Sequence, residues 1–151
     1  MKNITTQLEQ YVQKCDEVYL SSHLQNILKK ASLNVSQINV KKLKKLLQKK
    51  IVLLDVREPE EFASGYINAQ TVLTIPRGKL EFVAIEKIAK QFGQDQLIVT
   101  YCLKGPRGLL AAYQLQKLGF TNVYNLEGGI LQWLAKGNSI RNYLGEMKLV
   151  S

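Results

Sequence analysis

The chain has 151 residues, 46% of them hydrophobic and 22% charged, with a formal net charge of +9. That length suits one domain plus an extension, with a core large enough to need no disulfide or metal staple. No apolar run is long enough for a membrane span, and the N-terminal MKNITTQLEQYVQKCDE has no apolar signal core, so the sequence reads as cytoplasmic with no membrane partner.

Two cysteines, Cys15 and Cys102, make no disulfide framework, and with the single His23 they offer no zinc site. No metal or organic cofactor is expected. The lone histidine also argues against a Cys-His protease, which needs a base beside the thiol. The charge is uneven. Residues 1–50 hold ten lysines against Glu9, Asp16 and Glu17, a net +7, while the remainder carries +2. These lysines read as a solvated face, and they would also suit an acidic protein partner. Without an RNP-like aromatic pattern or a zinc finger, nucleic acid is not expected.

In chain order, Leu8, Tyr11, Val12, Cys15, Val18 and Tyr19 form one helical stripe, and His23 to Lys30 a second weak helical pattern. Cys15 reads as one apolar position of that stripe; a disulfide with Cys102 is the alternative. Residues 1–36 are taken as a helical, lysine-containing extension, residues 37–137 as the main domain and 138–151 as a tail. Ile38-Asn39-Val40 is extended, and Asn39 caps an amphipathic helix from Val40 to Lys50 with Leu43, Leu46 and Leu47 inward. Ile51 to Val56 is a continuous apolar run, as in strands buried on both faces of a parallel sheet. Pro59 suits a first helical position with acids in the first turn. Val72 to Ile75 is a strand stopped by Pro76, Gly78 to Phe92 a helix in one or two pieces, and Leu97 to Tyr101 a third apolar strand. Arg107 to Leu118 is a helix ended by Gly119, Asn122 to Leu126 a strand, and Gly128-Gly129 opens a last helix with Ile130, Leu131, Trp133 and Leu134. Phe62 and Trp133 are expected in the core and His23 at the surface. Strands alternating with helices predict an α/β fold with a mainly parallel sheet.

One loop stands out. Cys102-Leu103-Lys104-Gly105-Pro106-Arg107 lies between a strand and a helix, at the sheet edge where open α/β folds bind ligands. Backbone amides curling into a helix N-terminus form an anion nest, which Lys104 and Arg107 reinforce. Gly105 allows a backbone conformation other residues resist, and Pro106 fits the first helical turn. Each of these features favours a thiolate, and the same features would hold an anionic substrate beside it. The alternative is a small buried hydrophobe at a strand end.

The same six residues resemble the active-site loop of rhodanese domains. Leu53-Leu54-Asp55-Val56-Arg57-Glu58-Pro59-Glu60-Glu61-Phe62 with Gly65-Tyr66-Ile67 is similar to that family's first segment, Ile75-Pro76-Arg77-Gly78 to a further stretch, and Leu126 to Trp133 to its closing segment. The resemblance covers roughly residues 37–137. It implies a five-stranded, mainly parallel sheet flanked by helices on both faces, and a sulfurtransferase of the thiosulfate type. Carried over, Cys102 takes sulfane sulfur as a persulfide and passes it to a thiophilic acceptor, cyanide in the laboratory. The loop residues Leu103, Lys104, Gly105, Pro106 and Arg107 would bind the small anionic donor, and Asp55 and Arg57 would support the loop, a structural ion pair being their plainer reading. Tyr66-Ile67-Asn68-Ala69-Gln70 departs from the family's usual His-Ile-Pro-Gly-Ala, about two extra residues precede Ile75, and Gly108 stands where serine is common.

Two rival readings bear on the same loop. A cysteine phosphatase needs five residues between its cysteine and arginine to seat a tetrahedral phosphate, and here there are four. A non-catalytic rhodanese-like binding module would use the domain as a scaffold, with the basic extension meeting a partner; loss of the cysteine would mark it, and Cys102 is present.

Overall fold

The computed structural model describes residues 21–149. The first helical stripe and Cys15 lie outside them. Within them, the runs that read as buried strands form a five-stranded sheet, all parallel, in the order β1-β5-β4-β2-β3. The strands are β1 Ser36–Ile38, β2 Val52–Asp55, β3 Val72–Thr74, β4 Ile98–Tyr101 and β5 Val123–Leu126. The central strands β2 and β4 are buried along their whole length, which is why their sequence is continuously apolar rather than alternating.

Alternate residues of these strands feed two cores. Val52, Leu54, Ile98 and Val123 face one side, where they meet α1 (Ser22–Asn34), the composite helix after β3, and α6 (Pro106–Lys117). Leu53, Val99, Tyr101 and Leu126 face the other, against α2 (Val40–Leu46) and α7 (Gly129–Ala135). α3 (Pro59–Ser64) sits after β2 with Pro59 in its first turn. Asn39 caps α2 by accepting the Lys42 N–H at 2.8 Å, a contact worth about 1 kcal/mol. α2 ends at Leu46, short of the expected Lys50, because Gln48 and Lys49 bond back three residues rather than four and tighten the chain into β2.

The segment expected as one or two helical pieces is a 3-10 turn (Arg77–Lys79), α4 (Leu80–Ala84), a π turn (Ile85–Ala89) and α5 (Lys90–Phe92). Its core residues Leu80, Ala84 and Ile88 are spaced by four and fully buried. Four residues of an α-helix overshoot one turn by about 40°; widening the turn brings Ile88 back into line.

Three expectations are corrected. The helix read as part of an extension packs into the domain, with Leu28 and Ala31 buried against α6. The stretch read as a tail contains β6 (Ile140–Asn142) and β7 (Gly145–Met147), an antiparallel hairpin. It is fastened by Trp133 Nε1 donating to the Ser139 carbonyl at 2.8 Å and by a bridge between Tyr66 and Arg141. Phe62 is half-buried, stacked on Tyr66 at 4.4 Å rather than set in the core. Trp133 is buried and His23 exposed, as expected. Among the described residues, no helix is long and apolar enough to cross a membrane.

Candidate active site

Parallel strands β2, β4 and β5 release their chains at one edge of the sheet, and the loop of Cys102 to Gly105 is assembled there. Cys102 follows β4 directly and is 1% exposed. Gly105 takes φ +124°, which strains any residue with a side chain, and this turn points its N–H at the Cys102 sulfur, N to Sγ 3.0 Å. A donor so placed stabilises negative charge on sulfur. Pro106 then starts α6 where a missing N–H is harmless.

The carbonyls of the loop are turned the other way. Those of Cys102 and Leu103 accept the N–H groups of Ile130 and Leu131, at 2.9 and 3.1 Å. The approach is close enough that a Cβ on Gly129 would lie 2.5 Å from both carbonyl oxygens. The first turn of α7 thus forms the back wall of the loop.

The expected cations are placed differently from one another. Lys104 is half-buried and lines a cleft of about 270 Å³ with Leu28, Gln37, Pro106 and Glu127. Arg107 is engaged bidentately by Glu61, Nη1 to Oε1 2.7 Å and Nη2 to Oε2 3.0 Å. The Arg107 hydrogen bonds hold the Glu61 carboxyl below the usual carboxylate range, against burial, and Glu61 in turn raises Arg107. From the sequence, Glu61 is only a first-turn acid of α3. Its position three residues after Glu58, with which it forms a reciprocal capping box, is the sequence signal that fixes it beside the loop.

Asp55 and Arg57 form a buried ion pair behind the loop. Arg57 Nη2 donates to Asp55 Oδ2 and to the Gly65 carbonyl, both at 2.7 Å, and its Nε lies 3.0 and 3.1 Å from the two Asp55 oxygens. Burial works against the Arg57 charge, but the hydrogen bonds and charge of Asp55 outweigh it and the pKa is raised. The guanidinium also sits 5.6 Å from the centre of the Tyr101 ring, whose hydroxyl accepts the Ile67 N–H at 3.1 Å. Burial, chiefly, lifts that phenol far above its usual range. These groups brace the end of β4 from beneath and are closed to solvent. Among the described residues, no three His, Cys, Asp or Glu side chains gather to hold a metal ion.

Two further buried side chains complete the underside. Thr100 donates to the Gly108 carbonyl at 2.8 Å, and Asn125 on β5 donates to the Gly105 carbonyl at 3.3 Å. Gly108 leaves room for Asn125, since a Cβ there would collide with its Oδ1. The sequence alone marked neither residue, because each reads as an ordinary strand position.

Comparison with known proteins bears on the family and the fold. The model of the rhodanese-like domain matches residues 39–136. The chain is 38% identical over 97 residues to the putative mitochondrial thiosulfate sulfurtransferase of Schizosaccharomyces pombe, covering 58% of this chain and 66% of that protein. It is 36% identical over 93 residues to the human thiosulfate:glutathione sulfurtransferase, covering 56% and 79%. Among solved structures, the polysulfide-sulfur transferase homodimer of Wolinella succinogenes is similar at a TM-score of 0.66 and 29% identity, covering 86% of this chain and 91% of that one. With a five-stranded parallel sheet, a cysteine loop at its edge and these relatives, the chain belongs to the rhodanese-like sulfurtransferase family.

Proposed function

We propose that the protein is a sulfurtransferase that takes sulfane sulfur from a small anionic donor such as thiosulfate onto Cys102 as a persulfide. The observation that carries this is the Gly105 N–H aimed at the Cys102 sulfur in a loop flanked by Arg107 and Lys104. The Cys102 thiolate attacks the outer sulfur of thiosulfate. A bond forms between the two sulfurs, the original sulfur–sulfur bond breaks, and sulfite leaves with its electron pair. A thiophilic acceptor, cyanide in the assay, then attacks the outer sulfur of the persulfide, departs as thiocyanate and returns the Cys102 thiolate. The Gly105 amide stabilises the anion at both ends of the cycle, an electrostatic contribution made before the reaction begins.

Enclosure of the sulfur favours this reading. With Cys102 1% exposed, a donor has to present a small protruding atom, as the terminal sulfur of thiosulfate does. Lys104 and the guanidinium of Arg107 serve the donor's charged end, with Arg107 shared with Glu61. The exposed lysines of α2, Lys41, Lys42, Lys44 and Lys45, would suit an acidic protein as the physiological acceptor.

The test is thiocyanate formation from thiosulfate and cyanide, beside Cys102→Ala, with intact-mass detection of one added sulfur before cyanide is supplied. Turnover and added sulfur in the parent, both absent from the variant, are expected. A parent that gains no sulfur from thiosulfate or from polysulfide would overturn the reading. For the acceptor, Lys41→Glu/Lys44→Glu should weaken transfer to an acidic carrier and leave transfer to cyanide unchanged.

A further inference from the structure

Beneath the loop, the side chain of Asn125 joins three elements. It is fully buried on β5 and paired in register with Gln37 on β1. Its Nδ2 donates to Gln37 Oε1 at 2.9 Å and to the Gly105 carbonyl at 3.3 Å. Its Oδ1 lies 3.1 Å from the Thr100 hydroxyl, which donates to the Gly108 carbonyl. The Gly105 carbonyl fixes which end of the amide is which, because an oxygen in that place would face another oxygen.

Gly105 is the residue whose orientation matters. It combines φ +124° with ψ −41°, a conformation its own chain does not favour and its surroundings must impose. Its carbonyl is held from two directions, by the Leu109 N–H of α6 at 3.0 Å and by Asn125. Its amide is the group that meets the Cys102 sulfur. The carbonyl and the N–H of Gly105 belong to two peptide planes hinged at its Cα, so anchoring the carbonyl plane removes half of the hinge's freedom and narrows the directions in which the N–H can point.

We propose that Asn125, itself oriented by Gln37, is a positioning residue that aims the Gly105 amide at the Cys102 sulfur and so sets the reactivity of that thiol. Gln37 precedes the segment matched by the family model, so the device draws on this chain's first strand as well as on the common domain. Gly108 belongs to it, since a side chain there would occupy the place of Asn125. The inference rests on the sulfur-transfer reading for its purpose, but not for its test.

The test is iodoacetamide alkylation of the full chain as a function of pH, read on the Cys102 peptide by mass spectrometry, alongside kcat/KM with thiosulfate. Asn125→Leu removes both donated hydrogen bonds. Gln37→Met removes the tether from the exposed side of β1 and is expected to fold. Asn125→Leu should slow alkylation at neutral pH about tenfold, and Gln37→Met should slow it about threefold. If Gln37→Met superimposes on the parent profile, or a folded Asn125→Leu loses only thermal stability, the proposal is wrong. Should Asn125→Leu fail to fold, Gln37→Met decides alone. A parent that transfers no sulfur would refute the proposed function, while the alkylation profiles would still decide the role of Asn125.

Discussion

Replacing Arg57 by methionine tests whether the Asp55–Arg57 pair is a brace or a part of the chemistry. The variant loses three contacts to the Asp55 carboxylate and one to the Gly65 carbonyl, between 2.7 and 3.1 Å. Asp55 keeps the backbone N–H of residue 57, at 2.9 Å. The side chains of Arg57 and Asp55 are 4% and 0% exposed, so water cannot take over. Breaking a buried pair from one side costs about 3–5 kcal/mol, and the orphaned Gly65 carbonyl adds about 1 kcal/mol. A loss near 5 kcal/mol is a large share of the stability of an ordinary domain. Asp55→Leu/Arg57→Met removes both charges together and should lose only about 1–2 kcal/mol. Urea unfolding at neutral pH of the parent, both single variants and the double variant gives the coupling directly. A cost below about 1 kcal/mol for Arg57→Met, or strict additivity in the cycle, would refute the reasoning. Activity supplies the second reading: because the guanidinium is enclosed, kcat/KM per folded Arg57→Met molecule should stay within about threefold of the parent. A selective rise in KM in the folded variant would instead give Arg57 direct contact with the donor.

Other perturbations separate the remaining parts of the site. The Glu61 carboxyl has a folded pKa below its ordinary value, so the stability it contributes is present above that value and is lost as pH falls through the lower one; the advantage of the parent over Glu61→Gln, about 1 kcal/mol for a pair that is only partly buried, should therefore fade in urea melts as the pH is lowered through and below the ordinary carboxylate range. The same variant releases Arg107 and should lower KM for thiosulfate, and an unchanged KM would remove Arg107 from donor binding. Gly129→Ala places a Cβ against two backbone oxygens at φ +64°, which no rotamer can relieve; it should lower kcat/KM more than about tenfold, and a fully active variant would show that the back wall is dispensable. Lys104→Ala should raise KM for thiosulfate several-fold with kcat unchanged, and equal KM values would assign the lysine to the surface alone.

The parts of the fold that were legible in the sequence are those where one interaction dominates. Ile51 to Val56 and Leu97 to Tyr101 are apolar throughout because both faces of the sheet are covered. The Cys102 loop was legible because glycine, proline and cations have few other reasons to crowd a strand end. The hairpin of β6 and β7 was not, since strands of three residues, largely exposed, carry no periodicity and owe their place to Trp133 and Tyr66. Asn125 and Thr100 were hidden for a related reason. A polar residue in a strand says nothing of what lies under it until the topology puts β5 beside β4. Glu61 lay in plain view, but its partner is 46 residues away.

The bonds from Ile130 and Leu131 to the loop carbonyls also order events in time. A chain is made from its N-terminus and folds as it emerges. Residue 102 leaves the ribosome before residues 129–131, which form the wall behind it, have followed it out. Through that interval β4 can exist while its loop has no back. The sulfur thus acquires its fixed surroundings only when the closing helix arrives, and a chain cut off before Gly129 would carry the thiol without the means to govern it.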